Sequence, residues 1–262
     1  MVRLTDEDIR FFAREGYLVK RKVLDPELMS RARERMWNNL PPPLERGKPE
    51  SWIGPFPEVV DDKDSHRHQF MWKYREPGRE DWMVRMLATD TSVKGMAEQL
   101  LGKVVLVEQN KIRGIYCVLP EGEAPPRRLD CHVDAHPFHL GVVGYIDDVS
   151  EGGGGFTVWP GSHRVFYSDF PKRYIFEKTS SYVAHREEVS RESPIECYGQ
   201  AGDIVFWHHR IGHSVGSNRT SRIRQAVLCD YKRSDLDENA TPGDNMWIDW
   251  PGVHASMTSA PI

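Results

Sequence analysis

The N-terminal part of the chain combines helical spacing of apolar residues with one short alternating segment. Apolar residues recur three and four positions apart after Thr5, an N-cap residue that is followed by Asp8 three positions later. Gly16 is placed to end this predicted helix. The alternating segment 17–24 then predicts a strand.

A second helical pattern begins at Pro26 and extends to Leu40, and a third covers 81–101, where Gly102 is placed to end it. Between them, residues 44–80 show no clean period. Long irregular segments of compact domains are often functional covers, so a lid over a site and an ordinary surface loop both remain open.

The period changes to two after residue 103, and Gly and Pro separate the alternating segments. The strands predicted by this pattern lie within 104–119, 139–149, 156–164, 195–209 and 222–233. A long strand at 104–119 would place Gln109, Lys111 and Arg113 on one face. Short strands preceded by helices predict a mostly β protein with flanking α-helices. The expected fold is a double-stranded β-helix, the cupin-like jelly-roll barrel, with the N-terminal helices packed outside.

The length of 262 residues fits one domain with a sizeable core. The expected organisation is a single domain over 1–262, with a helical part at about 1–103, a jelly-roll core at about 104–233 and a tail at 234–262. The tail contains Trp247 and Trp250, so we expect it to pack against the barrel.

Composition narrows the function classes without choosing one. Hydrophobic residues make up 39% of the chain, charged residues 28%, and the formal charge is −4, which gives no electrostatic case for nucleic acid. The first residues carry no signal-peptide pattern and no apolar run suits a membrane span, so we expect a cytoplasmic protein without membrane partners. The four cysteines are scattered and predict neither disulfides nor a thiolate metal site.

His132 and Asp134 lie two positions apart, so on an extended backbone both side chains leave the same face and can bind one ion. A third ligand must come from a distant segment, and GDIVFWHHRIGH offers His209 and His213 on one face. Two imidazoles and a carboxylate on one face of a metal are typical of non-haem Fe(II) oxygenases. A zinc site using His132, His136 and His139 is the alternative, but Pro137 disfavours the helix that it would need.

Four further features follow in order: Val158-Trp159-Pro160-Gly161-Ser162-His163 after a Gly-rich turn, Ala201-Gly202-Asp203 before a strand, His213 with Asn218 behind it, and Arg224. With His132-Val133-Asp134, this series resembles the phytanoyl-CoA dioxygenase family of Fe(II)- and 2-oxoglutarate-dependent oxygenases. The resemblance covers roughly 4–30 and 104–230.

The resemblance implies that His132, Asp134 and His213 hold Fe(II) and that Arg224 pairs with the distal carboxylate of 2-oxoglutarate. Arginine suits this role because its planar fork matches a carboxylate and stays charged. Gln109, Arg113 and Ser214 are further candidates for contacting the cosubstrate. Several family members carry a hydroxyl two positions after the distal histidine, where this chain has Val215.

The implied reaction consumes O₂ and 2-oxoglutarate, releases succinate and CO₂, and hydroxylates a small organic molecule, with ascorbate as a supplementary reductant. Asp134 occupies the position that related halogenases leave to chloride, which argues against halogenation. Candidate substrate contacts are His136, Trp72 and Tyr74. A cupin-type metalloenzyme that does not use 2-oxoglutarate and a catalytically silent metal-binding barrel remain the alternative readings.

Overall fold

The computed structural model describes residues 2–62, 65–102, 106–125 and 127–258. The helices in these ranges are α1 (Asp6–Glu15), α2 (Pro26–Trp37), α3 (Asp81–Met86), α4 (Thr91–Leu101), α5 (Ser162–Phe166), α6 (Ser180–Val189) and α7 (Pro251–Thr258), with 3-10 turns at Pro49–Trp52 and Glu76–Arg79. The strands are β1 (Tyr17–Lys20), β2 (Phe56–Asp62), β3 (Ser65–Gln69), β4 (Met71–Tyr74), β5 (Gly114–Val118), β6 (Leu140–Tyr145), β7 (Phe156–Val158), β8 (Ile195–Cys197), β9 (Ile204–His208), β10 (His213–Val215) and β11 (Arg224–Tyr231).

The strands form two antiparallel sheets that share one buried layer. The large sheet has the order β1-β9-β6-β11-β5-β4-β3-β2, and the small sheet has the order β10-β7-β8. Val143 and Trp207 of the large sheet pack with Phe156 and Val158 of the small sheet in one apolar cluster. Together with the flanking helices, this arrangement confirms the predicted mostly β jelly roll.

The central strands of the large sheet are buried on both faces. One face packs against the small sheet and the other packs against the helical layer. On β11, Ala226 and Leu228 pack towards the small sheet, whereas Val227 and Cys229 pack in the cluster that contains the N-terminal helices. This division follows from the two-residue period of a strand. Arg224 has the parity of Ala226, which directs its side chain to the space between the sheets.

Helix α1 begins and ends where the sequence predicts. The Thr5 side chain accepts a hydrogen bond from the Asp8 backbone N–H, and the Asp8 carboxylate accepts one from the Thr5 N–H. Gly16 ends the helix with a φ of 80°. A Cβ at this glycine would lie 2.5 Å from the His163 ring, so both the backbone angle and the close approach require glycine.

The C-terminal tail was expected against the barrel, and it packs against both the helical layer and the barrel strand β9, where Trp250 stacks on His208. Trp247 and Trp250 are buried in the same cluster as Phe12 of α1, and the ring centroids of Phe12 and Trp250 lie 5.4 Å apart. Helix α7 lies against α1 and α4. Among the described residues, no helix combines the length and the apolar character of a membrane-spanning segment.

Three predictions about local structure are wrong. The long strand expected at 104–119 is shorter: residues 104 and 105 lie outside the described residues, 106–113 form no named strand, and β5 covers only Gly114–Val118. The helix expected at 81–101 is interrupted before Asp90, because the Asp90 carboxylate accepts hydrogen bonds from the N–H groups of Ser92 and Val93 and caps α4 as a separate helix.

The segment 44–80 is also not an irregular loop. It contributes β4, β3 and β2, which extend the large sheet beyond β5. Strand β3 has a mixed burial pattern rather than a clean alternation, and the β2–β3 pairing contains register shifts. A period-two signal is correspondingly weak in this part of the sequence.

Candidate metal centre

His132 and His213 face each other across an antiparallel bridge. The His132 N–H donates to the His213 carbonyl at 3.1 Å, and the His213 N–H donates back to the His132 carbonyl at 2.9 Å. The two ring centroids are 4.6 Å apart. Two residues that lie 81 positions apart in the sequence are thus paired by backbone hydrogen bonds before any metal is considered.

Both imidazoles are oriented in the same way. Nδ1 of His132 donates to the Asp130 carbonyl at 2.8 Å, and Nδ1 of His213 donates to the Ile211 carbonyl at 3.0 Å. A ring whose Nδ1 carries the proton presents Nε2 as a lone-pair ligand. The two rings therefore have the tautomer that a metal centre needs.

Asp134 completes a group of three potential ligands. One ligand atom from each of His132, Asp134 and His213 can be chosen so that all three lie within 4.8 Å of one another. Nε2 of His213 is 3.8 Å from Oδ2 of Asp134. This is the one such group of His, Cys and carboxylate side chains within the described ranges, and its donor set of two nitrogens and one oxygen suits Fe(II).

The protonation states also fit a metal centre. Burial lowers the pKa of His213 to about 4, partly opposed by the nearby Asp134 carboxylate. Burial would raise the pKa of Asp134, but the charges of Arg113 and His213 outweigh it and hold this pKa well below its usual range. At neutral pH the site therefore offers a neutral imidazole beside an ionised carboxylate.

Arg113 holds the Asp134 carboxylate in place. Its Nη2 donates to Oδ2 of Asp134 at 2.9 Å, and its Nε and Nη2 donate to Asp230 at 2.7 Å. His136 contacts the same Asp230 at 2.9 Å. Asp230 fixes the guanidinium, and the guanidinium fixes the oxygen of Asp134 that it contacts.

The three potential ligands line a cavity of about 170 Å³ between the two sheets. Its apolar wall includes Phe156 and Trp207, and Arg224 contributes a guanidinium. Nε of Arg224 donates to the Gly154 carbonyl at 2.8 Å, and Nη1 donates to the Tyr116 carbonyl at 3.1 Å. Ser214 also lines this cavity.

Arg224 is a buried cation that forms no ion pair with any described carboxylate. Its exposed fraction is 4%, and burial lowers its pKa. No carboxylate in the described part of the chain lies within ion-pair distance of it. Burying an unpaired charge is costly, so such a guanidinium indicates an anionic ligand.

The structure separates the remaining candidate residues. Gln109 donates to the Asp230 carbonyl and lies outside the metal cavity, in a neighbouring recess. Arg113 lines both spaces. His136 lies beside Asp230 and does not line the metal cavity. His209, the same-face rival of His213, is buried against Phe138 and Tyr174.

Trp72 and Tyr74 do not reach the cavity. They stack on each other with ring centroids 5.1 Å apart and pack in the helical-layer cluster. Because side chains alternate along β4, Met71 and Lys73 take the cavity-facing positions instead. Sequence reasoning missed Lys73. Recognising MWKY as a strand would have placed it on the face opposite the two aromatic residues.

In this jelly roll, two histidines and one carboxylate lie beside a buried arginine. This combination is the one found in the class of non-haem Fe(II) oxygenases that use 2-oxoglutarate. The particular family follows from sequence. Residues 12–226 match the family described as Phytanoyl-CoA dioxygenase (PhyH), and the chain belongs to this family. It is 23% identical over 211 residues to the human peroxisomal phytanoyl-CoA dioxygenase, and the match covers 65% of this chain and 62% of that protein.

Solved structures show the same fold at low identity. The chain is similar to SnoK, a non-haem α-ketoglutarate-dependent carbocyclase from nogalamycin biosynthesis, with a TM-score of 0.58, 16% identity and coverage of 93% of this chain and 95% of that one. It is also similar to HygX from Streptomyces hygroscopicus, solved with nickel, 2-oxoglutarate and hygromycin B. That match has a TM-score of 0.53, 13% identity and 90% coverage of each chain.

Proposed function

We propose that this protein is an Fe(II)- and 2-oxoglutarate-dependent dioxygenase that oxidises a C–H bond of a small organic molecule. The observation that carries the proposal is the buried Arg224, which lacks an acidic partner among the described residues and lines the same cavity as His132, Asp134 and His213. A metal-ligand cluster alone would fit many chemistries. A buried guanidinium beside it favours an anionic cosubstrate.

His132, Asp134 and His213 would hold Fe(II) through two nitrogens and one oxygen. Fe(II) held there would supply the activation of O₂, coupled to oxidative decarboxylation of 2-oxoglutarate to succinate and CO₂. The three side chains contribute the fixed geometry, since two are tied to backbone carbonyls and the third to Arg113. Leaving one face free of protein ligands is the arrangement that such chemistry requires.

Arg224 would bind the distal carboxylate of 2-oxoglutarate through its remaining N–H groups. Lys73 lines the same cavity and brings a second positive charge, which suits a dianion. Burial lowers the pKa of this lysine, with further lowering by Arg75 and Arg113, and the charge of Asp134 opposes it. Ser214 lines the cavity and is proposed to contribute a hydroxyl contact. Gln109 lies in the neighbouring recess and would act on the substrate side.

The walls of the cavity would exclude water from the reacting C–H bond. Phe156 packs on the His213 ring with centroids 5.4 Å apart, and Trp207 lies 6.1 Å from the same ring. Hydroxylation of a small molecule is the simplest outcome, with O₂ as oxidant and ascorbate as a reductant that restores Fe(II). The hygromycin B bound to HygX supports a small-molecule substrate for this protein.

The test is an anaerobic titration of the full-length protein with Fe(II) and then 2-oxoglutarate. We expect a visible charge-transfer absorption that requires both additions, and slow succinate formation after O₂ is admitted. Binding of Fe(II) without any effect of 2-oxoglutarate would instead indicate a cupin-type metalloenzyme. Binding of neither would indicate a catalytically silent barrel, and both results would contradict the proposal.

A further inference from the structure

A second cavity, which we call the basic recess, lies beside the metal cavity. Its volume is about 370 Å³, and its charged lining consists of Arg75, Arg79, Lys111, Arg113 and Asp230. The metal cavity measures about 170 Å³. The neighbouring recess is therefore the roomier of the two spaces.

The recess is positively charged although the whole chain carries a formal charge of −4. Four cationic side chains and one carboxylate line it. That carboxylate, Asp230, already receives two hydrogen bonds from Arg113. Lys111 is exposed and forms no ion pair within the part of the chain that the structure describes. The charged side chains that line the recess are therefore mostly cationic.

A single layer of side chains separates the recess from the metal cavity. Arg113 and Tyr116 line both spaces. The Arg113 guanidinium contacts Asp230 at 2.7 Å and Asp134 at 2.9 Å through the same Nη2 atom. A molecule seated in the recess would therefore lie one guanidinium away from the proposed metal ligand Asp134.

Close backbone packing holds the cationic residues in place. The Ile112 N–H donates to the Gly78 carbonyl at 2.8 Å, and a Cβ at Gly78 would lie 2.4 Å from the Ile112 carbonyl oxygen. This contact joins the turn that carries Arg75 and Arg79 to the segment that carries Lys111. The cations are thus presented by two segments in direct contact, as a preformed anion site requires.

We propose that the basic recess binds an anionic group, a phosphate or a carboxylate, of the primary substrate, while the carbon to be oxidised enters the metal cavity past Arg113 and Tyr116. This inference rests on the proposed function for its second half. The anion site itself can be tested separately. Guanidinium and ammonium groups are the side chains that recognise such oxyanions.

The experiment is calorimetric titration of the full-length protein with inorganic pyrophosphate and, separately, with tricarballylate, a tricarboxylate. In the Arg79→Gln/Lys111→Gln double variant we expect affinity for the preferred anion to fall roughly tenfold or more, since charge-assisted hydrogen bonds are lost. Tighter binding of pyrophosphate identifies a phosphate site, and tighter binding of tricarballylate a carboxylate site. Both substituted residues are exposed, so folding should be unaffected.

Three matched variants locate the anion. Arg79→Lys keeps the charge and should retain most of the affinity, and Lys94→Gln changes an exposed lysine on α4 and should have no effect. Arg224→Gln should leave anion binding intact while it weakens 2-oxoglutarate binding. If Arg224→Gln abolishes anion binding, or if the double variant binds like Lys94→Gln, the recess is not the site and the inference is overturned.

A competition titration separates this inference from the proposed function. We expect the anion to bind with the same affinity when 2-oxoglutarate is saturating, because the two ligands would occupy different cavities. Mutual exclusion would overturn the recess proposal and leave the oxygenase proposal standing. In the opposite case, the double variant loses anion binding and no variant responds to 2-oxoglutarate. This result would contradict the proposed function but would support the anion site.

Discussion

Two groups of histidines come from the same two stretches of sequence and differ in where they lie and in what their ring nitrogens contact. His132 and His213 flank the metal cavity. His139, His208 and His209 belong to a packed group on the other side of the core, against Tyr174 and Trp250. Counting histidines in HVDAHPFH and HHRIGH therefore cannot identify ligands.

Burial is not what separates the groups. It lowers the pKa of His213 to about 4 and that of His139 to about 4, so both rings are neutral at pH 7. The difference lies in the ring nitrogens. His213 has Nδ1 tied to a carbonyl and Nε2 3.8 Å from a carboxylate, whereas His208 stacks on Trp250 at 4.9 Å and accepts a hydrogen bond from the Arg210 N–H.

Removing a proposed metal ligand should cause the largest loss of activity. Asp134→Ala and His213→Ala are each expected to reduce Fe(II)-dependent succinate formation by more than the roughly hundredfold that loss of an outer partner causes. Both positions line a cavity, so the thermal midpoint should change little. Turnover assays and calorimetric unfolding on the same preparations measure the two effects.

The matched control comes from the other group. His209 shares a strand-parity face with His213 but lies outside the metal cavity. His209→Gln should keep the metal-dependent activity per folded molecule. If His209→Gln loses Fe(II) binding while His213→Ala retains it, His209 is the metal ligand and His213 is not. That result would contradict the comparison.

Truncating a packed histidine should produce the opposite pattern. His208 is 3% exposed and is surrounded by Trp247 and Trp250. His208→Ala would leave an aromatic-sized cavity and should reduce the free energy of unfolding by roughly 3 kcal/mol. Denaturant titration measures this loss. Unchanged stability together with lost Fe(II) binding would show that His208 serves the site rather than the core.

Arg224 gives a smaller and more selective test. Arg224→Gln is expected to weaken 2-oxoglutarate binding by roughly tenfold to a hundredfold, since charge-assisted hydrogen bonds to one carboxylate are removed. Fe(II) affinity should remain close to that of the unmodified protein. The anaerobic charge-transfer titration measures both quantities.

Arg222→Gln is the control for this test. Arg222 lies two positions before Arg224, is 61% exposed at its side chain and pairs with Asp147 at 3.0 Å. Its replacement should leave 2-oxoglutarate binding unchanged. Equal weakening in both variants would mean that general positive charge, and not the buried fork of Arg224, attracts the cosubstrate.

The sequence predicted the features that depend on local chemistry or on strand parity. Thr5 and Asp8 form the expected capping box, the jelly roll and the packed tail are present, and His132, Asp134 and His213 come together. Parity could not choose between His209 and His213. Only the family resemblance favoured His213, because the choice depends on the bridge to His132, a contact between distant segments.

The misplacement of two aromatic residues has a physical origin in strand parity. Trp72 and Tyr74 were expected beside the substrate, because their segment was not recognised as the strand β4. In that strand both side chains point away from the cavity, into the cluster with the N-terminal helices. Arg113 lines the metal cavity and holds Asp134 and Asp230, so its contact with the cosubstrate stays a prediction. A one-residue change of register exchanges the two faces of a strand, so pattern alone left these roles open.

The pH dependence of stability gives the smallest effect. His139 is 1% exposed, and burial lowers its pKa to about 4. The unfolded chain takes up this proton near a pKa of about 6.5. Between these two values the unfolded state binds more protons, so lowering the pH favours unfolding. The stabilisation by the neutral ring is complete above pH 6.5 and is lost progressively as the pH falls towards 4.

His139→Phe isolates this contribution. Nε2 of His139 has no hydrogen-bond partner among the described residues, and Nδ1 accepts one long bond of 3.3 Å from the Arg233 N–H, so phenylalanine removes the titrating group with little loss of contact. The variant should reduce the dependence of the unfolding free energy on pH, measured from pH 5 to 6, by at most about 1.4 kcal/mol per pH unit. If the pH dependence of the unfolding free energy is unchanged, the His139 ring is already protonated in the folded protein between pH 5 and 6. Its packing with Tyr174 and Trp250 would then not lower its pKa below that of an exposed imidazole.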